Sequence, residues 1–212
     1  RTADAAPMKE ALQAALGAVS GLGYPCASIK AVDCSTMIGA MCDPILVSVM
    51  AEPALRAKLC KFIAVLCARQ HAVFGAASLA AALDALLQLG SSEEPEDALR
   101  GLSAVLQSHA PRCTQHYEAC VNLLLRLSPP ASGKDRTRQL AVSCIAVLCD
   151  KARHRLKPFH ARLFPHLLAV VTTQVARTSG ARGAGSAEAA EAAVAAVVAE
   201  AEKAAAATAA TA

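Results

Sequence analysis

The stretch Ile63-Ala64-Val65-Leu66-Cys67 recurs as Ile145-Ala146-Val147-Leu148-Cys149, and Ala104-Val105-Leu106 lies between the two copies. The three Ala-Val-Leu triplets are spaced by 40 and then 42 residues. Internal similarity at this period indicates helical units that stack on one another along the chain. Stacked units of this kind create extended binding surfaces, so the pattern favours a binding protein over a catalyst.

The similarity extends beyond the triplets. At an offset of 42, residues 98–127 and 140–169 share their apolar pattern without a gap, and about 54–89 follows the same order of elements. The matched pairs are Leu102 with Cys144, Val105 with Val147, Leu106 with Leu148, Ala110 with Ala152, Tyr117 with Phe159, Ala119 with Ala161, Val121 with Leu163 and Leu125 with Leu167. The pattern predicts an all-α fold, a HEAT- or armadillo-like α-solenoid of stacked antiparallel helix pairs.

The pattern also divides the chain. Residues 1–177 are predicted to form HEAT-like helical repeats, with units at about 54–89, 95–127 and 135–177. Gly, Ser and Arg residues at 178–186 predict a linker. Residues 187–212 hold 16 alanines and four glutamates, both strong helix formers, and predict a helical or mobile segment. Because the chain starts at Arg1 and ends in an alanine run, we expect a fragment of a longer protein.

Local signals place the helices of the first half. Pro53 predicts a helix start, and the predicted apolar stripe of that helix is Leu55, Leu59, Ile63 and Leu66. Its partner helix is predicted to stop at Gly90. Ser91-Ser92 and the acidic residues after them predict the start of the next helix, at about 95–108, and its partner is predicted at about 112–127.

The second half has a similar order. Ser128–Gly133 predicts a loop, and Asp135 predicts the start of a helix that runs to Lys151. Pro158 predicts the start of the next helix, and Pro165 lies inside it. The predicted apolar stripe of this helix is Phe159, Leu163, Leu167 and Val170.

Composition excludes several classes of protein. Hydrophobic residues make up 55% of the chain but aromatic residues only 3%, which favours closely packed helices. The formal net charge of +4 is too small to indicate nucleic-acid binding by itself. No membrane association is predicted, because Ser78, Asp84 and Gln88 interrupt the longest apolar stretch, 72–89.

Cysteine and histidine patterns bear on the chemistry that the chain could carry. Nine cysteines, an odd number without a C-x-x-C pair, predict reduced, buried thiols in a cytosolic or nuclear protein. Cys113, His116 and Cys120 share one face if they lie on one helix, but no fourth ligand is indicated, so no metal is predicted. No nucleophile elbow, Walker-type loop or dinucleotide fingerprint occurs, and we therefore predict neither a cofactor nor an enzymatic activity.

The densest group of positive charge is the candidate partner-binding site. It comprises Lys151, Arg153, His154, Arg155 and Lys157. One interpretation is an electrostatic patch for an acidic partner or for phosphates. The other is solvated charge at the carboxyl end of a helix, where cations complement the helix dipole.

From 95 to 171 the chain resembles a pair of HEAT repeats of the importin-β superfamily, the β-karyopherins, most of all the importin-beta-3 type. The residues that carry the resemblance are Arg138-Gln139-Leu140-Ala141, Ile145-Ala146-Val147-Leu148, Pro158-Phe159-His160 and Phe164–Val171, with Ala110-Pro111 and Tyr117–Leu127 in the preceding unit. The resemblance covers about a third of the chain.

This resemblance implies a nuclear transport receptor. Such receptors bind protein cargo along the solenoid, release it under control of the Ran GTPase and contact Phe-Gly nucleoporins between helices. Two features depart from the family: this stretch is mildly basic where the receptors are usually acidic, and no Asp/Glu-rich segment follows the repeats.

Two alternatives remain open at the level of sequence. One is a HEAT or armadillo scaffold of a non-transport complex, such as a cytoskeletal, ribosome-biogenesis or organellar assembly. The other is a nucleic-acid-associated helical-repeat protein. The sequence argues against the second alternative, because the basic residues do not recur at one register in every repeat.

Overall fold

The computed structural model describes residues 36, 38–44, 47, 52–69, 75–129 and 135–179, and most of these residues are helical. Within these residues there are α-helices and 3-10 turns but no strand, so the predicted all-α class is confirmed. Residues 36, 38–41, 44 and 47 are helical as well. From Pro53 onward the α-helices are α1 (Pro53–Arg69), α2 (Ala76–Gly90), α3 (Glu96–His109), α4 (Tyr117–Leu127), α5 (Asp135–Ala152) and α6 (His160–Ser179). The 3-10 turns are Ala110–Arg112, Thr114–His116 and Arg153–Phe159.

The chain forms two compact units, residues 1–116 and 117–212. In the first unit, α3 packs against both α1 and α2. In the second unit, α4 packs against α5, α6 and the 3-10 turn Arg153–Phe159. The boundary between the units falls inside 95–127, the stretch for which the sequence predicts one repeat.

Helix α1 begins at Pro53, as predicted. Proline suits this position because the first amide of a helix has no acceptor within the helix. The predicted stripe is the buried face of α1: Leu55, Leu59, Ile63 and Leu66 are at most 4% exposed. Three- and four-residue spacing therefore correctly identifies which side of α1 enters the core.

The serines after α2 have a different role from the one predicted. Helix α2 includes Gly90, and Ser91 follows as its cap. The hydroxyls of Ser91 and Ser92 donate to the carbonyls of Leu87 and Leu89, at 3.0 and 2.7 Å. They satisfy carbonyls that the end of α2 leaves without amide partners, so they end one helix and do not start the next.

Helix α3 begins with its acidic residues but without a side-chain cap. The residue before it is Pro95, which makes no capping hydrogen bond. Glu96 and Asp97 occupy the first turn, where negative charge complements the helix dipole. The helix ends at His109, since Pro111 has no amide hydrogen with which to continue it.

Two predicted helices start later than the sequence indicates. The helix predicted over 112–127 becomes α-helical only at Tyr117, after two 3-10 turns. The helix predicted to open at Pro158 begins at His160, whose amide donates to the carbonyl of Lys157. Both delays follow a proline within a tighter 3-10 turn, in which hydrogen bonds span three residues instead of four.

The predicted stripe of α6 is only partly buried. Leu163 is 3% exposed, whereas Phe159, Leu167 and Val170 are partly exposed. Pro165 lies inside this helix as expected. A hydrogen bond also joins α6 to the residue after α4: Nε2 of His166 lies 2.9 Å from Oγ of Ser128.

The repeat alignment predicts equivalent burial, and several pairs show it. Leu106 and Leu148 are both fully buried, and Ala119 and Ala161 are both exposed. The local order of α-helix, 3-10 turn and α-helix also recurs, from α3 to α4 and from α5 to α6. Matched burial at an offset of 42 residues supports a repeat in local structure.

The thiols follow the prediction with one exception. Six of the seven described cysteines are buried and all seven are free: Cys42, Cys60, Cys67, Cys113, Cys120 and Cys144 are buried, and Cys149 is exposed. Burial raises the pKa of the Cys60 thiol to about 12, so it is protonated at neutral pH. The prediction is wrong for Cys149, because it shares a face of α5 with Ala146 and Asp150, at spacings of three and four residues, and all three are exposed. Cys26 and Cys34 lie outside the described residues.

Gly101 sets the distance between α3 and its neighbours. A Cβ atom at Gly101 would lie 2.7 Å from Cδ2 of Leu86 and 3.2 Å from the carbonyl oxygen of Cys60. Leu86 is itself fully buried, so it has little room to move away. The absence of a side chain at Gly101 is therefore needed for close packing of α3 against α1 and α2.

We predict that Gly101→Ala destabilises the protein by about 1 kcal/mol, because overpacking outweighs the better helix propensity of alanine. The matched control is Gly39→Ala, also in a helical position, where a Cβ would meet nothing within 4 Å. That variant should instead stabilise by about 0.5–1 kcal/mol. Urea denaturation measures the free energy of unfolding of both variants. Equal changes of this free energy in the same direction would contradict the packing explanation.

The contact at His166 predicts a pH dependence. The hydroxyl of Ser128 donates to the carbonyl of Leu124 at 2.7 Å, so Nε2 of His166 must carry the hydrogen of the 2.9 Å contact. Burial lowers the pKa of His166, against a smaller opposing effect of hydrogen bonding to the backbone of Ser128. Below its usual pKa of about 6.5 the unfolded chain therefore binds more protons than the folded protein.

The unfolding free energy should consequently fall as the pH drops from about 7 through the lowered pKa of His166. The variant His166→Gln keeps an amide donor but cannot titrate, so its stability should change less over this range. His154→Gln is the control, since His154 is exposed. Denaturant titrations at several pH values test this, and identical slopes for the wild type and His166→Gln would contradict it.

Candidate partner-binding surface

The predicted basic residues lie where α5 ends and the 3-10 turn Arg153–Phe159 follows. Lys151 is in the last turn of α5, and the other four belong to the 3-10 turn. We call these five residues the basic segment: Lys151, Arg153, His154, Arg155 and Lys157. The five predicted residues thus lie at the end of α5 and in the turn that follows it.

Four members of the basic segment are exposed to solvent. They are Arg153, His154, Arg155 and Lys157. The turn is held in place by Leu156, which is only 1% exposed. One buried apolar side chain therefore fixes a turn on which Arg153, Arg155 and Lys157 present positive charge outward.

Arg153 has an unusual backbone conformation. Its φ angle is 49°, the one positive value among the described residues that are not glycine. A left-handed residue often ends an α-helix, but the position usually holds glycine because a Cβ atom is strained there. An arginine in this place keeps a positive charge at the turn at the expense of stability.

The charge of Lys151 is partly neutralised by the neighbouring carboxylate of Asp150. Its Nζ lies 2.8 Å from Oδ2 of Asp150, and its side chain is 35% exposed. The hydrogen bond and the charge of Lys151 lower the pKa of the Asp150 carboxyl.

The positive charge of the chain is concentrated around this segment. Residues 117–179 contain ten Lys and Arg against three Asp and Glu, a formal net charge of +7. Residues 1–116 carry nine and ten, a formal net charge of −1. The overall value of +4 hides this asymmetry, which a count made unit by unit would have revealed.

The structure does not support a metal site at Cys113, His116 and Cys120. Cys113 and His116 lie in the 3-10 region before α4, so the one-helix spacing of Cys113, His116 and Cys120 does not apply. Nε2 of His116 lies 3.2 Å from Oδ1 of Asp84 on α2, and the side chain of His116 is 11% exposed. Burial raises the pKa of Cys113 to about 11, which disfavours the thiolate that would bind a metal. In the described part of the chain, no group of three or more His, Cys, Asp or Glu could hold a metal ion.

Sequence reasoning missed a groove between α1 and α3. It has a volume of about 380 Å³ and is lined by Ala57, Lys58, Cys60, Lys61, Ala64, Asp97, Arg100 and Gly101. Nη1 of Arg100 lies 2.5 Å from Oδ1 of Asp97, which neutralises part of the charge at its rim. Small residues on two facing helices were the available signal, but only their packing shows that they meet.

Comparison with known proteins gives no family. No protein-family model matches the chain, and no significant match was found among curated proteins or solved structures. None of the helices in the described residues is long and apolar enough to cross a membrane.

The strain at Arg153 can be measured directly. Arg153→Gly should leave the stability unchanged or raise it by up to about 1 kcal/mol, because relief of the left-handed strain offsets the added freedom of the unfolded chain. Lys157→Gly is the matched control: it removes one charge from the same turn at a residue without positive φ. Lys157→Gly should lower the free energy of unfolding by about 0.5–1 kcal/mol. Thermal or urea unfolding compares the two, and an equal loss in both would show that Arg153 is not strained.

Proposed function

We propose that this chain is a protein-binding helical scaffold that uses the basic segment to bind an acidic partner. The observation that carries the proposal is the exposure of four cationic or titratable side chains on one turn anchored by buried Leu156. Long-range attraction of an acidic surface to such a patch increases the rate of encounter and favours partners of the right charge.

The helix packing supports a solenoid arrangement as part of this proposal. Within the first unit α1 packs against α3, and within the second α4 packs against α6, so helices contact the next helix but one. Stacked helix pairs produce contacts of this kind between equivalent helices of neighbouring repeats. The recurrence of helix, 3-10 turn and helix supports the same interpretation.

The more specific form of the proposal is part of a nuclear transport receptor. Its basis is the resemblance of residues 95–171 to HEAT repeats of the β-karyopherins. In that role the partners are protein cargo, the Ran GTPase and Phe-Gly nucleoporins, and the protein works in the cytoplasm and the nucleus. The alternative is a HEAT or armadillo scaffold of a non-transport complex, for which the same basic segment would bind an acidic subunit.

A pull-down with Ran charged with GTP or with GDP distinguishes a transport receptor from a non-transport scaffold. A transport receptor should retain the GTP form and lose cargo as it does so, because the couplings between two ligands on one protein are reciprocal. Equal and negligible retention of both forms would contradict the transport proposal and leave the general scaffold.

Charge reversal tests the basic segment itself. The triple variant Arg153→Glu, Arg155→Glu and Lys157→Glu should weaken binding to an acidic protein by about tenfold or more, and the wild-type affinity should fall with added salt. The matched control reverses three exposed cations elsewhere, Lys58, Arg112 and Arg136, and so changes the net charge equally. Titration calorimetry against an acidic peptide such as poly-glutamate measures both, and equal losses would show that only net charge matters.

A further inference from the structure

Helix α6 presents apolar side chains to solvent on the side opposite its buried face. The buried face includes Leu163 and Ala169, each 3% exposed. The exposed side carries Phe164, Leu168 and Val171, whose exposed fractions are 72%, 37% and 57%. Spacings of four and three residues place these three side chains on one line along the helix, which we call the outer stripe.

Large apolar side chains are otherwise rarely exposed in this protein. Among the described residues, the one other large hydrophobic residue counted as exposed is Val65, on α1. Single exposed apolar side chains are common in proteins, but a row that includes an aromatic ring generally marks a contact surface. The outer stripe therefore has the character of a contact surface.

The outer stripe continues into the basic segment. His160, the first residue of α6, lies four residues before Phe164 and is exposed. The amide of His160 donates to the carbonyl of Lys157, three residues earlier, as in a 3-10 turn. Residues three apart are eclipsed in such a turn, so Lys157, His160 and Phe164 follow one line. This exposed line of side chains thus changes from cationic to apolar between Lys157 and Val171.

The formal charges around this line have one sign. Residues 151–179 contain six Lys and Arg and no Asp or Glu. The guanidinium of Arg162 donates to Oδ1 of Asn122 on α4, so this charge is directed away from the outer stripe. The positive end of the α6 dipole lies at His160. Carboxylates of a partner are therefore favoured over Lys157 and His160.

The charge also argues against a second copy of the chain on the outer stripe. Two copies would bring together units that each carry a formal net charge of +7 over residues 117–179. Like charges placed close together across an interface are costly, whereas an acidic partner is attracted. A membrane surface fits less well, because three side chains bury little apolar area and the membrane binding of a helix scales with that area.

We propose that the outer stripe and Lys157 bind an amphipathic helix of a partner protein, which has large aliphatic residues on one face and carboxylates beside them. This inference rests on the proposed function and names the chemistry of the partner. The aliphatic residues pack on Phe164, Leu168 and Val171, which are anchors at helical spacing. The carboxylates accept hydrogen bonds from Lys157 and His160. Apolar contact supplies affinity, and charge sets the direction of the bound helix.

Two synthetic peptides test whether the protein recognises an apolar face. The first is a helix of about 18 residues of Glu, Ala and Leu, with leucines at i, i+3, i+4 and i+7. The second has alanine in place of each leucine, so its charge is the same and its helix propensity is at least equal. In titration calorimetry the full chain should bind the leucine peptide about tenfold or more tightly than the alanine peptide.

Substitutions in the protein locate the contact. Phe164→Ala and Leu168→Ala should weaken binding of the leucine peptide by about tenfold and threefold, because truncated anchors lose apolar contact. Binding of poly-glutamate should not change, since no charge is removed. Val65→Ala is the matched control: Val65 and Leu168 are both 37% exposed, but Val65 lies on α1, so this variant should bind as the wild type does. Circular dichroism shows that each variant is folded.

The variant Phe164→Trp reports on the contact directly, because the chain contains no tryptophan of its own. This variant keeps an aromatic ring at the most exposed position of the outer stripe and should still bind the leucine peptide. On binding, the emission of the indole should shift to shorter wavelength and its quenching by acrylamide should decrease, since the ring leaves water. The alanine peptide should cause neither change.

Equal binding of the leucine and alanine peptides would overturn this inference and leave the proposed function in place, since charge alone would explain the binding. Failure of both peptides and of poly-glutamate to bind would contradict the proposed function as well.

Two other occupants of the outer stripe have their own signatures, and either would overturn the inference. A concentration-dependent mass of the free chain in sedimentation, abolished by Phe164→Ala, would identify a second copy. Binding to vesicles of phosphatidylcholine and phosphatidylserine, lost in Phe164→Ala, together with equal binding of the two peptides, would identify a membrane surface.

Discussion

Burial of leucine-rich faces between short helices is the constraint on which this structure depends. The α-helices have 11 to 20 residues, a length at which an isolated helix is marginal in water. Each therefore requires a neighbour that removes its apolar face from solvent. Helix α3 meets this need in the first unit, with Leu99, Leu102 and Leu106 fully buried against α1 and α2.

The close packing of α3 has a further consequence for the surface. Gly101 lets the helices approach, and the small residues Ala57 and Ala64 leave a groove beside the contact. The same scarcity of aromatic residues that favours tight helix packing thus leaves space that larger side chains would fill. The core is apolar enough to raise the pKa of Cys60 and Cys67 to about 12, so these thiols behave as small hydrophobic groups.

In the second unit the apolar faces of the helices pack around α4. The surface of this unit combines positive charge with exposed apolar side chains. A buried Leu156 holds a turn of exposed positive charge, and α6 presents Phe164, Leu168 and Val171 outward. Charge and exposed apolar area on neighbouring parts of one chain are features of binding surfaces, where apolar contact supplies affinity and charge supplies selectivity. The proposed scaffold function draws on this combination.

The sequence by itself determined the helical class, the stripe of α1, the span of α5 and the position of the basic segment. These depend on periodicity, on prolines and on charged residues, which act over a few neighbouring positions. Tertiary structure decided that Ser91 and Ser92 end α2, that α4 and α6 begin after 3-10 turns, and that Cys149 is exposed. It also decided that Gly101 meets Leu86 and that the face opposite Leu163 on α6 remains open, because these outcomes depend on contacts between residues distant in the chain.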